Sequence, residues 1–202
     1  MSNIYQFKIT LQDSKPPIWR RIQVSENYTF WDLHVAINEA MGWYDCHLHA
    51  FVRRNLKTLR EELRIHTDLA DEPWDLSDEV KEERETLIKD VLTLEKPRIK
   101  YDYDFGDSWQ HYVVLEKILP AEKGVEYPRC VAGKRACPPE DVGAIWGYYD
   151  FVKIMNNPQH SEYKEMVEWI GEDSWDPDEF NPDEVFFDDP EEIWDEMQKS
   201  SF

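Results

Sequence analysis

The residue types best suited to chemistry are concentrated in residues 101–111, where two carboxylates, Asp104 and Asp107, stand close to an imidazole, His111. Apolar and polar residues alternate on both sides of a Gly-Asp pair, which predicts a strand, a tight turn and a second strand. Such a hairpin would hold the acids and the histidine together, as candidates to bind a cation or to serve as acid and base. Trp109 belongs to the same predicted ligand-binding surface.

Two further carboxylates, Glu140 and Asp141, follow a pair of prolines and could converge with Asp104 and Asp107. A structural role is the alternative. Aspartates at turns accept backbone hydrogen bonds, and acids placed after prolines favour the start of a helix. No complete catalytic constellation surrounds these acids, so the sequence predicts a ligand-binding site and leaves the catalytic residues undefined.

Histidines and cysteines offer a second candidate site, a metal centre. His47 and His49 alternate on a predicted strand, so both rings would lie on one face. His111 could join them from the hairpin, while Cys130 and Cys137 could add thiolates, and this ligand set suits zinc. The six-residue gap between the cysteines is not the two-residue gap of ordinary zinc knuckles. The alternative is that both cysteines are buried packing residues and that the histidines hydrogen-bond the backbone or carboxylates.

An arginine could contribute to an aromatic-lined pocket for an anionic or planar ligand. Arg20 and Arg21 are adjacent on a predicted strand and point to opposite faces, so only one of them can enter such a pocket, and we take Arg20 as the candidate. Packing in the core is the alternative role of the aromatic residues that would line the pocket, which are Trp19, Trp43, Tyr103 and Trp109.

The elements that must position these residues follow from hydrophobic periodicity. Residues 4–11 and 18–24 alternate as a hairpin would, residues 30–41 have helical spacing, and residues 47–52 alternate again. Thr29 is the predicted N-cap of the helix and Gly42 its stop. The order predicts an α+β fold with a mixed or antiparallel sheet, a β-grasp-like start and helices on one side.

The later part of the chain has weaker patterns. Residues 55–85 are highly charged and predict an inserted connection with one or two short helices. We expect a single α+β domain over residues 1–160, and an acidic, aromatic-containing C-terminal segment over residues 161–202 that packs on it. The other predicted elements are a helix over 85–94, a loop over 127–147, and helices over 151–155 and 163–170.

The net charge of −20 is unevenly distributed. Residues 161–202 hold 16 acidic and 2 basic residues, a charge of −14, which leaves −6 for the first 160 residues. A field of this sign repels phosphates, so nucleic acid is disfavoured as a partner unless a local basic patch is sheltered from the acids. We expect an unidentified protein or small molecule instead. One basic patch could come from Arg53, Arg54, Lys57, Arg60 and Arg64, although interspersed acids there are typical of a solvated surface.

Cysteine usage and apolar runs bear on location. Three cysteines make an odd number and no dense disulfide framework, which favours a reducing compartment. No apolar run approaches the roughly 20 residues needed to cross a bilayer, and the start lacks a signal-peptide pattern. We therefore expect a soluble cytoplasmic protein that does not contact membranes.

Several motifs occur together in an order that resembles the Ri-plasmid ORF-three-like domain family over nearly the whole chain. The first half carries Pro17-Ile18-Trp19-Arg20-Arg21, Thr29-Phe30-Trp31-Asp32-Leu33-His34, Ala40-Met41-Gly42-Trp43 and His47-Leu48-His49-Ala50-Phe51. The second half carries Tyr103-Asp104-Phe105-Gly106-Asp107-Ser108-Trp109, Tyr127-Pro128-Arg129-Cys130, Arg135-Ala136-Cys137-Pro138-Pro139-Glu140-Asp141 and Asp176-Pro177-Asp178-Glu179-Phe180. Two departures are visible. Gly143-Ala144 stands where the family usually has two glycines, and the connection over residues 55–85 is not part of the recognisable pattern.

The residues themselves favour a binding or interaction domain built around the hairpin of residues 104–111. The resemblance adds an association with mobile elements, since some members are labelled insertion-element passenger or resolvase-like. It implies no defined reaction. The alternative function is a metal-assisted hydrolase or nuclease that uses the histidine, aspartate and cysteine residues to activate water.

Overall fold

The computed structural model describes residues 2–55, 57–67, 77–171 and 175–200, except the side chain of Ser200. The strands are β1 (Asn3–Leu11), β2 (Trp19–Ser25), β3 (His49–Arg54), β4 (Glu61–His66), β5 (Val80–Glu82), β6 (Arg98–Tyr103), β7 (Trp109–Pro120) and β8 (Arg129–Lys134). The helices are α1 (Phe30–Met41), α2 (Ile88–Val91), α3 (Ala144–Met155), α4 (Tyr163–Ile170) and α5 (Pro190–Ser200), with a 3-10 helix at Pro182–Glu184.

The eight strands of the described residues form one sheet in the order β5-β4-β3-β6-β7-β1-β2-β8. Every neighbouring pair is antiparallel except β4 and β5, which are parallel. The predicted α+β class with a mixed sheet is confirmed. The β-grasp-like detail is not confirmed, because β1 lies between β2 and β7 and is antiparallel to both.

One face of the sheet forms the core. Phe7 of β1 is completely buried opposite Ile22 of β2 and Leu115 of β7, as expected for alternation with a period of two. Leu33 and Ile37 of α1 belong to the same core. The helix begins where it was predicted to begin, with a capping box at Thr29, and it ends at Gly42 in the left-handed conformation.

The acidic C-terminal segment lies on the helix-covered side of the sheet. Trp194 of α5 packs edge-on against Trp31 of α1 at 5.1 Å between ring centroids. The ring of Phe180 lies 3.7 Å from the guanidinium of Arg20. A side chain at Gly133 would overlap that ring, so β8 needs a glycine there.

Two predicted segments differ from the structure. Residues 55–85 were expected to hold short helices, but the described part instead forms β4 and β5. Leu63 and Ile65 are buried, and their charged neighbours in β4 are partly exposed, so the strand alternation is present although the charges conceal it in the sequence. The expected loop over residues 127–147 contains β8, whose side chains are only partly buried and carry no alternating pattern. Among the described residues, no helix is long and apolar enough to span a membrane.

The departure at Gly143-Ala144 has a visible structural consequence. Ala144 has φ of +60° next to Gly143 at +90°, and the left-handed region costs a non-glycine residue about 1–2 kcal/mol.

We expect Ala144→Gly to raise the free energy of unfolding by about 0.5–1 kcal/mol, after allowing for the greater freedom of glycine in the unfolded chain. Urea denaturation measures this. Ala36→Gly in α1 is the control and should destabilise; destabilisation by both would refute the strain at residue 144.

Candidate metal centre

The antiparallel pairing of β3 with β6 sets the position of the site. His49 lies opposite Tyr103, so the start of β3 and the end of β6 meet at the same edge of the sheet. Just beyond that edge, the Asp104 amide donates to the Leu48 carbonyl at 2.9 Å. The chain turns there with Asp104 at φ of +52°. His47 and the Asp104 carboxylate are thereby brought side by side.

A loop that precedes α3 supplies the other acids. The indole of Trp43 donates to the Pro138 carbonyl at 3.0 Å and holds the start of this loop. The Tyr103 hydroxyl and the Tyr44 amide both donate to Glu140 Oε1, each at 2.9 Å. Glu140 is thus held by one oxygen, and its other oxygen, Oε2, faces the imidazole of His47.

Three carboxylates surround one nitrogen. His47 Nε2 lies 3.2 Å from Asp141 Oδ1, 3.6 Å from Glu140 Oε2 and 3.8 Å from Asp104 Oδ2. Neither His47 Nε2 nor Glu140 Oε2 has a hydrogen-bond partner among the described residues, although both atoms are buried. Ligand atoms of His47, Asp104 and Asp141 lie within 4.8 Å of one another, as do those of Cys46, His47 and Glu140.

This spacing matches the coordination shell of a small cation. Ligand nitrogens and oxygens about 2.0–2.2 Å from one ion lie roughly 3–3.5 Å apart in tetrahedral or octahedral arrangements. The separations around His47 Nε2 are at or slightly above that range, so small rotations of the carboxylates would bring them onto an ion. Asp141 is 69% exposed, and this leaves one side of the cluster open to solvent.

A second, largely buried cluster lies in the same region. The rings of His34 and His49 stack at 3.3 Å with an interplanar angle of 6°. His34 Nε2 hydrogen-bonds Asp45 at 2.8 Å, and His49 Nε2 hydrogen-bonds Glu83 at 2.6 Å. Burial, and then His49, lower the pKa of His34, whereas the pKa of Asp45, which burial alone would raise, is held low by His34.

The stacked pair is poorly arranged to share a metal ion, although ligand atoms of His34, Asp45 and His49 lie within 4.8 Å of one another. An imidazole nitrogen presents its lone pair in the ring plane. Two stacked, nearly parallel rings with centroids 3.3 Å apart cannot both hold one ion in their planes. The short contacts to Asp45 and Glu83 are ordinary charge-assisted hydrogen bonds, so we assign this cluster to buried acid–base pairing.

The residues predicted as metal ligands do not meet in one shell. His47 precedes β3, so it does not share the strand alternation of His49, and the two rings have different partners. His111 is buried with Nδ1 3.3 Å from the Tyr101 carbonyl. Cys130 and Cys137 interact electrostatically with Arg20, and burial raises the pKa of both thiols. All three thiols of the chain are free.

The residues predicted to bind a ligand also separate into two groups. Asp104, Glu140 and Asp141 meet at His47, and Asp107 supports them by accepting from the Gly143 amide at 3.0 Å. Trp109 and His111 are buried in the core. Arg20 is also buried, and donates to the carbonyls of Ala40, Trp19 and Lys134 at 2.7, 3.0 and 3.2 Å beneath Phe180.

The sequence did not indicate the partners of the stacked pair His34 and His49. His34 has an apolar-like position in the helical pattern of α1, which gives no sign of its contacts with Asp45 and with the Tyr101 hydroxyl at 2.7 Å. Glu83 lies in the highly charged connection, where one buried acid cannot be told from exposed ones. The one sequence feature that pointed to His34 was its place in the family motif over residues 29–34.

A family model described as plasmid pRiA4b ORF-3-like protein matches residues 3–184. The chain belongs to this family. An uncharacterised protein, y4hQ of Sinorhizobium fredii, is 32% identical over 176 residues, which cover 87% of this chain and 85% of that protein. The crystal structure of MM3350 from Methanosarcina mazei Go1, a protein of unknown function, is similar with a TM-score of 0.80 and 44% identity, covering 93% of this chain and 99% of that one. No reaction is attached to the family by these relatives.

Within this family member, His111 makes a testable contribution to the pH dependence of stability. Burial lowers its pKa from 6.5 to about 3. Between these two pH values, His111 binds a proton in the unfolded chain but stays neutral in the folded chain. The free energy of unfolding should therefore fall by about 1.4 kcal/mol per pH unit from this residue as the pH drops from 6.5 toward 3. We expect about 2 kcal/mol between pH 6.5 and pH 5 by urea denaturation.

His111→Gln should remove that part of the slope, while His160→Gln, in the turn between α3 and α4, should keep it. An unchanged slope in His111→Gln would contradict the assignment.

Proposed function

We propose that this chain is a metal-binding domain whose ion is held by His47, Asp104 and Asp141, with Glu140 as a further ligand. The convergence of three carboxylates on His47 Nε2 carries the proposal. Like charges brought this close repel one another, and a dication would relieve that repulsion. The buried, unpartnered atoms of His47 and Glu140 have the same explanation, because each would face the ion.

The ligand types restrict the choice of metal. One imidazole with carboxylates suits first-row dications such as Zn²⁺ and Mn²⁺ better than ions that require thiolates. Zinc therefore remains a candidate, with ligands different from those first predicted. Tyr103 would act indirectly, since its hydroxyl occupies Glu140 Oε1 and turns Oε2 toward the site. We place the domain in the cytoplasm, where its free thiols would stay reduced.

Metal binding can be measured directly on protein purified without a histidine tag and stripped with a chelator. Titration calorimetry with Zn²⁺ and Mn²⁺ should show one site per chain. His47→Ala and Asp104→Asn should each weaken binding at least about 100-fold because a direct ligand is lost, and Tyr103→Phe about tenfold because Glu140 loses its orientation.

His160→Ala is the matched control and should bind like the parent protein. Absence of a site, or equal binding by the His47→Ala variant, would exclude the proposal.

Hydrolysis is a second candidate function, favoured by the exposure of Asp141 at the open side of the cluster. An ion with a free coordination position can lower the pKa of bound water to about 7 and activate it for attack. This function would make the protein a metal-assisted hydrolase or nuclease.

We expect metal-dependent cleavage of p-nitrophenyl acetate or of bis-p-nitrophenyl phosphate, reduced at least about tenfold in Asp141→Asn. Metal bound at one site per chain without turnover of either compound would leave the metal-binding proposal standing and argue against hydrolysis of these ester classes.

A further inference from the structure

The face of the sheet opposite the helices presents aromatic and basic side chains in register. Thr10 of β1 pairs with Trp19 of β2 on one side and with Tyr112 of β7 on the other. Tyr112 in turn pairs with Lys100 of β6. Paired residues lie on the same face, so these four side chains form one row across four strands. Core residues such as Ile9 and Val113 alternate with this row and point to the helix-covered side.

The next row continues the basic character. Lys8 pairs with Arg21 of β2 and with Val114 of β7, and Val114 pairs with Arg98 of β6. Within the described part of the chain, Arg21 forms an ion pair with Glu116 and Lys100 lies 3.7 Å from Asp102, whereas Lys8 and Arg98 form no ion pair. By the same register, the open face carries the basic residues Lys8, Arg21, Arg54, Arg64, Arg98, Lys100, Lys117, Arg129 and Lys134, against the acidic residues Glu61, Glu82, Asp102 and Glu116.

The sheet separates this basic face from the acidic C-terminal segment. Phe180, Asp188 and Trp194 all contact the helix side, through Arg20, Glu39 and Trp31 respectively. The sheet itself lies between these contacts and the open face, and the Debye length is about 8 Å at physiological ionic strength. Salt therefore screens much of the repulsion that the C-terminal acids would exert on an anion at the open face. The net charge of −20 does not describe this surface.

The aromatic residues add a stacking surface. Tyr112 is 51% exposed. Trp19 is partly exposed, with Lys8 Nζ 4.9 Å and the Arg21 guanidinium 5.1 Å from its ring. The two aromatic residues are two strands apart, which is about 10 Å. Exposed aromatic rings interleaved with cations on a sheet match the chemistry of unpaired bases and their phosphates.

We propose that the open face of the sheet, formed by Lys8, Trp19, Arg21, Lys100 and Tyr112, binds single-stranded nucleic acid. The bases stack on Tyr112 and Trp19, and the phosphates contact Lys8, Arg21 and Lys100. A single strand fits better than a duplex, because paired bases cannot reach the rings. It also fits better than an acidic peptide, which would use the cations and leave the aromatic residues without a role. This site is independent of the metal centre.

Fluorescence anisotropy with labelled 12-nucleotide RNA and DNA strands at 150 mM salt tests the proposal. We expect binding of the single strands, and weaker binding of the matching duplex. Tyr112→Ala should weaken single-strand binding about tenfold with an unchanged salt dependence, because stacking is lost. Lys8→Gln should weaken it about threefold and lower the slope of log affinity against log salt by about one, because one phosphate contact is lost.

Matched controls separate the face from general surface effects. Trp146→Ala removes another exposed aromatic residue, and Lys153→Gln removes a lysine that is 73% exposed, both on α3. Both variants should bind like the parent protein. The proposal would be overturned if the single strands bound only at low salt, or if the duplex bound as tightly as the single strands. It would also be overturned if an acidic peptide bound equally well to the parent protein and to Tyr112→Ala, or if the control variants lost as much affinity as Tyr112→Ala.

Discussion

The antiparallel register of β3 with β6 is the constraint on which the candidate metal centre depends. Because His49 lies opposite Tyr103, the residues just outside the two strands, His47 and Asp104, come together at one edge. The same pairing sets the Tyr103 hydroxyl beneath Glu140. A shift by one residue would turn Tyr103 to the opposite face and separate these groups. Strand pairing therefore places His47 and Asp104, and the loop that precedes α3 adds Glu140 and Asp141.

Two buried pairs of a histidine and an acid lie next to that edge of the sheet. His34 on α1 bonds Asp45, which is two residues before His47, and His49 on β3 bonds Glu83. The backbone carbonyl of Glu83 also accepts from the amides of Phe30 and Trp31 at the start of α1. A carboxylate as buried as Glu83 is costly without a partner, so the bond from His49 to its Oε2 and the bonds from the start of α1 to its backbone hold the helix and the strand to this residue.

Much of the architecture was predictable because local chemistry agreed with the final packing. Alternation in residues 4–11 and the capping residue Thr29 each determine an element without help from distant residues. Around Leu63 and Ile65 most residues are charged. Two buried residues belong to a strand there, and an apolar alternation of only two residues was too short to identify from the sequence. The α+β class followed from the strong elements, and strand order did not, since pairing depends on contacts far apart in the chain.

The candidate site was predictable in its residues but not in their grouping. Asp104, Glu140 and Asp141 were identified as a possible carboxylate cluster and His47 as a possible ligand, yet the sequence associated His47 with Cys130 and Cys137. The reason is physical. His47 lies outside β3 and turns toward the acids, while burial keeps the two thiols beside Arg20. Which side chains share a shell depends on where a strand ends, and strand ends are poorly determined by periodicity.

The central claim is that a metal ion sits between His47 and the three carboxylates. Crystals soaked in Mn²⁺ or Zn²⁺ and measured at the absorption edge of the metal would locate it by anomalous scattering. We predict one strong peak about 2.0–2.2 Å from His47 Nε2 and in contact with Asp104 and Asp141. A peak at the His34–His49 pair or near Cys130 and Cys137, or no peak at saturating metal, would contradict the account.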